Sequence, residues 1–318
     1  MKSYSVLLYY CYTKIEKTED FRNQHHQLCL DLNLRGRIII ANEGLNGTIS
    51  GVREDCEKYM QTLKSEKRFE NIDFKIEYTE KPAFQKLYVR VKDEIVHSSL
   101  SHINPNEKTG KYIEPQQFKE ILKDIDKNED VLILDVRSNY EHNVGKFKNA
   151  LTLDIENFRD FPEKVKELEN YKHKKIITYC TGGIKCEKAS AYLLEKGFED
   201  VYQLHGGIIK YGIEAGGENF EGKCYVFDER VVVDVNSVNP IIKSTCFVCG
   251  ITSDRMVNCA NAECNEHVPI CEKCGWELEG ACSKTCQNHP KKRPYNGTGY
   301  YQKELNGYDP HQNSLRKK

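Results

Sequence analysis

Tyr179-Cys180-Thr181-Gly182-Gly183-Ile184-Lys185-Cys186-Glu187 gathers a thiol, paired glycines, a cation and a second thiol between an apolar run and a helical one. The paired glycines let the chain turn back with positive φ, so that successive backbone N–H groups converge on the Cys180 sulfur as an anion-binding nest. A helix starting near Cys186 adds the positive end of its dipole, and Lys185 adds a full charge. All three effects favour thiolate over thiol. A thiolate so placed is a nucleophile towards sulfur, phosphorus or an electron-poor carbon. Cys186 has two readings: a thiol that resolves a sulfenate or persulfide on Cys180, or a small apolar residue packing a helix start.

A second group of cysteines implies different chemistry. Of fourteen, eight fall in four close pairs: Cys246-x-x-Cys249, Cys259-x4-Cys264, Cys271-x-x-Cys274 and Cys282-x3-Cys286. Eight thiolates suffice for two tetrahedral zinc sites. The pairs can be interleaved, with Cys246, Cys249, Cys271 and Cys274 on one ion and the others on the second, or used sequentially; His267 or His289 can replace one Cys. Zinc here is structural, because so short a segment buries too little apolar area alone and zinc has no redox role. From Gln287 onward seven Lys/Arg (Lys291, Lys292, Arg293, Lys303, Arg316, Lys317, Lys318) face only Glu304 and Asp309, interleaved with Tyr295, Tyr300, Tyr301 and Tyr308. Such a tail is either a solvated terminus or an RNA contact, cations on phosphates and tyrosines on bases.

These residues need elements to position them. The chain has 318 residues, 39 % hydrophobic and 30 % charged, with net charge −1. That length exceeds one ordinary core, and the balance excludes wholesale disorder. No apolar stretch approaches the ~20 residues of a membrane helix, and the N-terminus carries no signal-peptide pattern. A cytoplasmic protein is expected, with no membrane partner and no DNA partner.

Strand 4–12, helix Asp20–Leu34, strand Arg37–Ala41, turn chemistry at Glu43-Gly44 and Asn46-Gly47, strand Thr48–Ser50, helix Asp55–Lys67 and extended segments Ile72–Tyr78 and Lys86–Lys92 give a βαββαβ order with a short trailing strand. That order predicts a ferredoxin-like α+β domain over 1–100. Arg35, Arg37, Lys86, Arg90 and Lys92 either line one face of its sheet, as an RNA surface, or are a solvated edge. A polar stretch with Pro105 and Gly110 reads as a linker over 101–114. Helix Glu114–Lys127, strand Val131–Val136, helix Glu163–Glu169, strand Lys175–Tyr179, helix Glu187–Lys196 and strand Val201–Leu204 then alternate, so an α/β domain with a parallel sheet is expected over 115–217. Cys180 falls at a strand's carboxyl end, where such sheets bind ligands. Residues 218–286 form the Cys-rich, zinc-binding segment and 287–318 the basic, Tyr-rich tail.

Asp135-Val136-Arg137, Glu141, Gly145, Ala150, Cys180-x-x-Gly-x-Lys185 and Leu204-x-Gly206-Gly207-Ile208 resemble the landmarks of a rhodanese domain. That resemblance implies that Asp135 and Arg137 buttress the fold. Lys146, Asn149 and Lys185 stand where rhodaneses often have His, Gly and Arg, and a lysine keeps the charge without the planar fork. Three longer strings, Ala41–Thr48, Cys180–Ser190 and Gly222–Arg230, together resemble the rhodanese-containing tRNA uridine hydroxylases over nearly the whole chain. The narrower resemblance implies oxygen-dependent conversion of the wobble uridine(34) of tRNA to 5-hydroxyuridine. Cys180 is then the required cysteine, molecular oxygen a co-substrate alongside a reductant, and the tRNA anticodon arm the partner. Addition of the Cys180 thiolate to C6 of uracil would make C5 electron-rich; a persulfide or sulfenate on Cys180 is the other working form. The competing functions are sulfur transfer through a Cys180 persulfide, to tRNA or a small acceptor, and a non-catalytic tRNA-binding module.

Overall fold

The computed structural model describes residues 3–299. Its first part runs β1 (Tyr4–Tyr12), α1 (Thr18–Asp31), β2 (Arg35–Ala41), β3 (Gly44–Val52), α2 (Arg53–Lys64), β4 (Lys75–Thr79) and β5 (Leu87–Val91), with sheet order β4-β1-β3-β2-β5. The pairings are antiparallel except β2 with β5. This is the expected ferredoxin-like arrangement with one added edge strand. Alternation decides the two faces. Leu7, Tyr9, Ile38, Ile40, Leu45 and Ile49 pack with Cys29 of α1 and with Cys56, Tyr59 and Leu63 of α2. Leu8 pairs with Thr48 and Thr48 with Arg37, while Tyr10 pairs with Asn46 and Asn46 with Ile39, so these six share the opposite, helix-free face.

The second part runs β6 (Lys111–Ile113), α3 (Pro115–Lys123), β7 (Val131–Asp135), α4 (Asn139–His142), β8 (Gly145–Phe147), β9 (Leu151–Thr152), α5 (Phe161–Lys164), β10 (Lys175–Tyr179), α6 (Ile184–Glu195), β11 (Asp200–Leu204), α7 (Gly207–Ala215), β12 (Phe220–Gly222), β13 (Cys224–Tyr225) and β14 (Val232–Val233). Five of these strands form the parallel sheet β6-β11-β10-β7-β9. Apolar layers cover both faces: Phe118, Phe147, Tyr211 and Phe220 on one, Phe161, Leu168, Ile176 and Leu193 on the other. The helix expected at Glu163–Glu169 is instead α5 followed by 3-10 turns over Val165–Tyr171, whose buried residues Val165 and Leu168 stand three apart, the repeat of that tighter helix.

Both expected boundaries of the parallel-sheet domain differ from the structure. Lys111–Ile113 of the expected linker is the sheet's edge strand, and Leu100 and Ile103 pack on Ala191 of α6. On the far side β12 pairs with β8, and Phe220, Cys224, Val226 and Val235 belong to the core beside Phe147. Strands of two or three residues are too short to show a period, which is why composition alone misplaces these edges. The last part holds β15 (Met256–Asn258), β16 (His267–Pro269), α8 (Glu272–Glu277) and α9 (Lys284–Gln287). Residues 287–299 fold back onto it, with Arg293 N–H donating to Ala260 O and Asn258 N–H to Gly299 O. No helix among the described residues is long and apolar enough to cross a membrane.

Candidate functional site: a thiolate pocket between two domains

Cys180 follows the carboxyl end of β10, the central strand of the parallel sheet. The neighbouring β7 ends at Asp135, with Arg137 two residues on, both fully buried, the guanidinium bonded to the carboxylate at 2.7 Å and to Gly145 O at 2.7 Å, with Tyr179 OH donating to Asp135 at 2.6 Å. This locked pair fixes the strand ends from which the loop springs. Gly183, at φ 101°, turns the loop into α6; a side chain there would meet Tyr10 Oη at 2.9 Å. From the other side Gly207, at φ 65°, admits the Cys180 and Thr181 carbonyls, whose oxygens accept from the N–H groups of Ile208 and Ile209 at 3.0 and 3.1 Å. The loop's carbonyls are thus tied to α7, leaving its N–H groups to the sulfur.

Gly183 N–H donates to Cys180 Sγ at 3.2 Å. Burial raises the thiol's pKa, but the Cys186 S–H, the Lys185 charge and the N–H groups of Cys186 and Lys185 outweigh it and bring it from 9.0 down to about 7. Cys186 moves the opposite way, well up, through burial and through Cys180 itself, so it keeps its proton and donates. Lys185 is not a free cation. It pairs with Glu141, whose carboxylate also accepts Ser138 N–H at 3.1 Å, and its ammonium lies 5.9 and 5.8 Å from the rings of Phe158 and Phe227.

The sulfur, only 1 % exposed, is reached through a cavity of about 390 Å³. One wall is the Cys180–Lys185 loop with Ser138, Tyr140 and Phe158. The facing wall is the helix-free face of the N-terminal sheet: Leu8, Tyr10, Arg37, Ile39, Asn46 and Thr48. His97 and Phe227 line it too. A smaller, more polar cavity of about 230 Å³, lined by Tyr10, Lys75, Glu187 and His205 among others, does not include the sulfur. Register places Tyr88 opposite Arg37, and Arg90 opposite Ile39, on that same face of β5. Period two then adds Arg35, Lys86 and Lys92, so the five N-terminal cations lie on one face, the one that walls the pocket.

Residues that sequence reasoning passed over hold the two domains in this relation. Glu187, one turn into α6, is 4 % exposed and accepts hydrogen bonds from Tyr10 and Tyr112 hydroxyls at 2.8 Å each, and from Thr109 and Gln203 at 3.1 Å each. Lys188, with no exposed surface, pairs with Glu43 at 2.8 Å and Glu94 at 3.0 Å and donates to Leu100 O at 3.3 Å. Arg230 bonds Asp228 at 2.6 Å and Glu77 of β4 at 3.1 Å, and the Glu229 carboxylate accepts Gln85 N–H at 3.1 Å. Each anchor falls in one of the three long sequence strings: Glu43 in the first, Glu187 and Lys188 in the second, Asp228–Arg230 in the third.

Comparisons with known proteins match each of the three parts. Residues 4–95 match the UPF0176 acylphosphatase like domain, 115–214 the rhodanese-like domain and 221–287 the rhodanase C-terminal domain. A protein of Cytophaga hutchinsonii named tRNA uridine(34) hydroxylase is 67 % identical, covering 98 % of each chain. Proteins of the same name from Bacillus mycoides and Enterococcus faecalis are 47 % and 46 % identical, covering 92 % and 91 % of this chain and 92 % of each of theirs. The chain belongs to the tRNA uridine(34) hydroxylase family.

The Cys-rich part resolves the pairing that spacing leaves open. Cys246, Cys249, Cys271 and Cys274 converge, as do Cys259, Cys264, Cys282 and Cys286, the sulfurs of each set within 4.8 Å of one another. The arrangement is interleaved. Neither His267, bonded to Tyr225 Oη at 2.8 Å, nor His289, 3.3 Å from Glu263, joins either set. Sulfur separations of 3.7 Å (Cys249 to Cys271), 3.8 Å (Cys264 to Cys282) and 3.7 Å (Cys282 to Cys286) are far beyond a disulfide. They match the edge of about 3.8 Å of a tetrahedron whose centre lies ~2.3 Å from each sulfur, the zinc–thiolate distance. Of the tail cations, Lys291 pairs with Glu263, Lys292 with Glu279, and Arg293 binds Asn265 and the Cys259 carbonyl. These three bind within the module; Lys303, Arg316, Lys317, Lys318, Tyr300, Tyr301 and Tyr308 lie outside the described residues.

Proposed function

We propose that this chain hydroxylates C5 of uridine 34 in tRNA, with Cys180 as the nucleophile. One observation carries this reading: a sulfur held towards thiolate lines a cavity whose opposite wall belongs to a cationic sheet face. About 390 Å³ accommodates one nucleotide turned out of its stack, and uridine 34 sits in the anticodon arm, a loop from which a base can leave at small cost. Arg90 and Lys92, exposed on that face, supply phosphate contacts, while Phe227 and Tyr140 present rings beside the pocket. A cytoplasmic location, where tRNA is met, follows from this reading.

The chemistry balances as follows. Thiolate adds to C6, the electron pair of the C5–C6 double bond moves towards the C4 carbonyl, and C5 becomes able to bond to molecular oxygen. A two-electron reductant and two protons cleave the O–O bond, releasing water and leaving hydroxyl on C5. Loss of the C5 proton expels the thiolate and restores the ring. Cys186, with its S–H directed at Cys180, stabilises the departing thiolate and is the thiol positioned to condense with an oxidised Cys180. The Cys-rich sets bind two zinc ions; the donor sets fit, and the role is structural.

Nucleoside analysis of tRNA from a deletion strain tests this reading. Complementation with the wild-type gene restores 5-hydroxyuridine in air and less at low oxygen, whereas Cys180→Ser restores none. Exchange of oxygen for sulfur adds the same nominal mass, so accurate mass separates hydroxylation from thiolation. A thiolated product, or full modification by Cys180→Ser, overturns the reading. A 5-fluorouridine anticodon stem-loop then distinguishes a C6 adduct, which accumulates as a covalent complex, from a persulfide or sulfenate.

A further inference from the structure

The Ala41–Thr48 string is only partly accounted for by the fold. Gly44 and Gly47 are packing positions, since a Cβ would meet Cys11 O at 2.0 Å and the Tyr9 ring at 2.3 Å. Glu43 anchors Lys188 and accepts Ile95 N–H at 2.8 Å. Asn46 remains. It lies on the helix-free face, half-buried in the pocket wall, and its Nδ2 donates to Ile95 O at 2.9 Å. The same residue, Ile95, is therefore held at its N–H by Glu43 and at its carbonyl by Asn46, and this fixes which way the amide points. Its carbonyl oxygen has no hydrogen-bond partner among the described residues and is committed as an acceptor. Arg37 forms no salt bridge among the described residues and stands one rung along the sheet, a donor beside an acceptor.

We infer that Asn46 is the residue that selects uridine, by accepting the N3–H of the base through its oriented side-chain carbonyl. Uracil offers acceptor, donor, acceptor along O4, N3–H and O2, whereas cytosine has an acceptor at N3 and a donor at C4. In the six-membered ring N3 lies directly across from C6. A base that turns C6 towards Cys180 on one wall carries N3–H towards the facing wall, where Asn46 stands. Cytosine in the same pose sets its N3 lone pair against the Asn46 carbonyl and leaves both without a donor, the situation by which a hydrogen-bonding site rejects a near-isostere. Arg37 donates to a uracil carbonyl on the same edge. The inference rests on the reading of uridine 34 as substrate.

The test is equilibrium binding of the full chain to anticodon stem-loops that differ only in U or C at position 34, for wild type and Asn46→Ala. Wild type binds the U34 loop at least about tenfold more tightly. Asn46→Ala binds both loops alike, at the wild-type affinity for C34. A residue with only a structural part lowers both affinities and keeps their ratio, and that outcome overturns the inference, as does a wild type without preference. In the complementation assay, wild-type restoration of 5-hydroxyuridine beside unchanged U-over-C selection in Asn46→Ala sinks the Asn46 role alone. Failure of wild-type restoration sinks the functional reading, whatever the binding ratio.

Discussion

Two regions of this molecule are built around cysteine, and they use the same side chain in opposite ways. At Cys180 a single sulfur stands at a strand end, its charge favoured by N–H groups, a lysine and one donating thiol, and a cavity is left open in front of it. Between Cys246 and Cys286 the sulfurs come in two sets of four, each sulfur within 4.8 Å of the other three. The difference teaches that reactivity here is a property of surroundings: an electropositive setting beside a cavity for one, the geometry of a tetrahedral metal site for the others.

The strongest way to break the contrast is to exchange the sulfurs' fates. Cys180→Ser should lower hydroxylation by about a thousandfold or more while leaving metal content and thermal unfolding as in wild type, measured by tRNA nucleoside analysis, elemental analysis and scanning fluorimetry. A Cys-rich variant should do the reverse. Elemental analysis should find two zinc ions per wild-type chain and one in Cys274→Ser. Because Trp276 of α8 is the only tryptophan in the chain and stacks edge-on to Tyr295, chelation should shift its fluorescence while the rest of the fold persists.

Next in size is the mechanical link between the regions that build the pocket. Lys188→Met leaves Glu43 and Glu94 facing each other without their cation, and should cost about 3 kcal/mol in urea denaturation while lowering activity. An unchanged midpoint would mean that the domains do not depend on this cluster. The smallest effect concerns charge alone. Alkylation of Cys180 should titrate with a midpoint near pH 7, and Cys186→Ala or Lys185→Met should move it to higher pH. Since the folded pKa, about 7, lies below the ordinary 9.0, ionisation of this thiol contributes stability that is complete above pH 9 and is lost as pH falls through 7. A midpoint that stays near 9 would make Cys180 an ordinary thiol and remove the contrast with which this comparison begins.

Much of this was legible in the residues. A cysteine after an apolar β-branched run, two glycines and a helical segment can only sit at a strand end beside a helix start, and paired Cys spacing announces tetrahedral ligation. The sheet faces of the N-terminal domain follow from period two. What the sequence withholds is how the domains dock. Alternation says that Arg37, Asn46 and Tyr10 share a face, yet nothing local says that this face meets the Cys180 loop. For the same reason Glu187 reads as a first-turn acid favoured by the helix dipole, and only the fold shows it gathering donors from Tyr10, Thr109, Tyr112 and Gln203. Lys185 looks like a free cation until Glu141, 44 residues away, is brought to it.

The interleaving of the four cysteine pairs bears on how the chain matures. The first set cannot close before Cys274 has left the ribosome, and by then Cys259 and Cys264 already hang inside the loop it closes, awaiting Cys282 and Cys286. The first set is complete once Cys274 is translated while the second waits for Cys286, so the nascent polypeptide must hold Cys259 and Cys264 as exposed thiols over that interval, and a ribosome that stalls before Cys286 releases a product with a half-built second site.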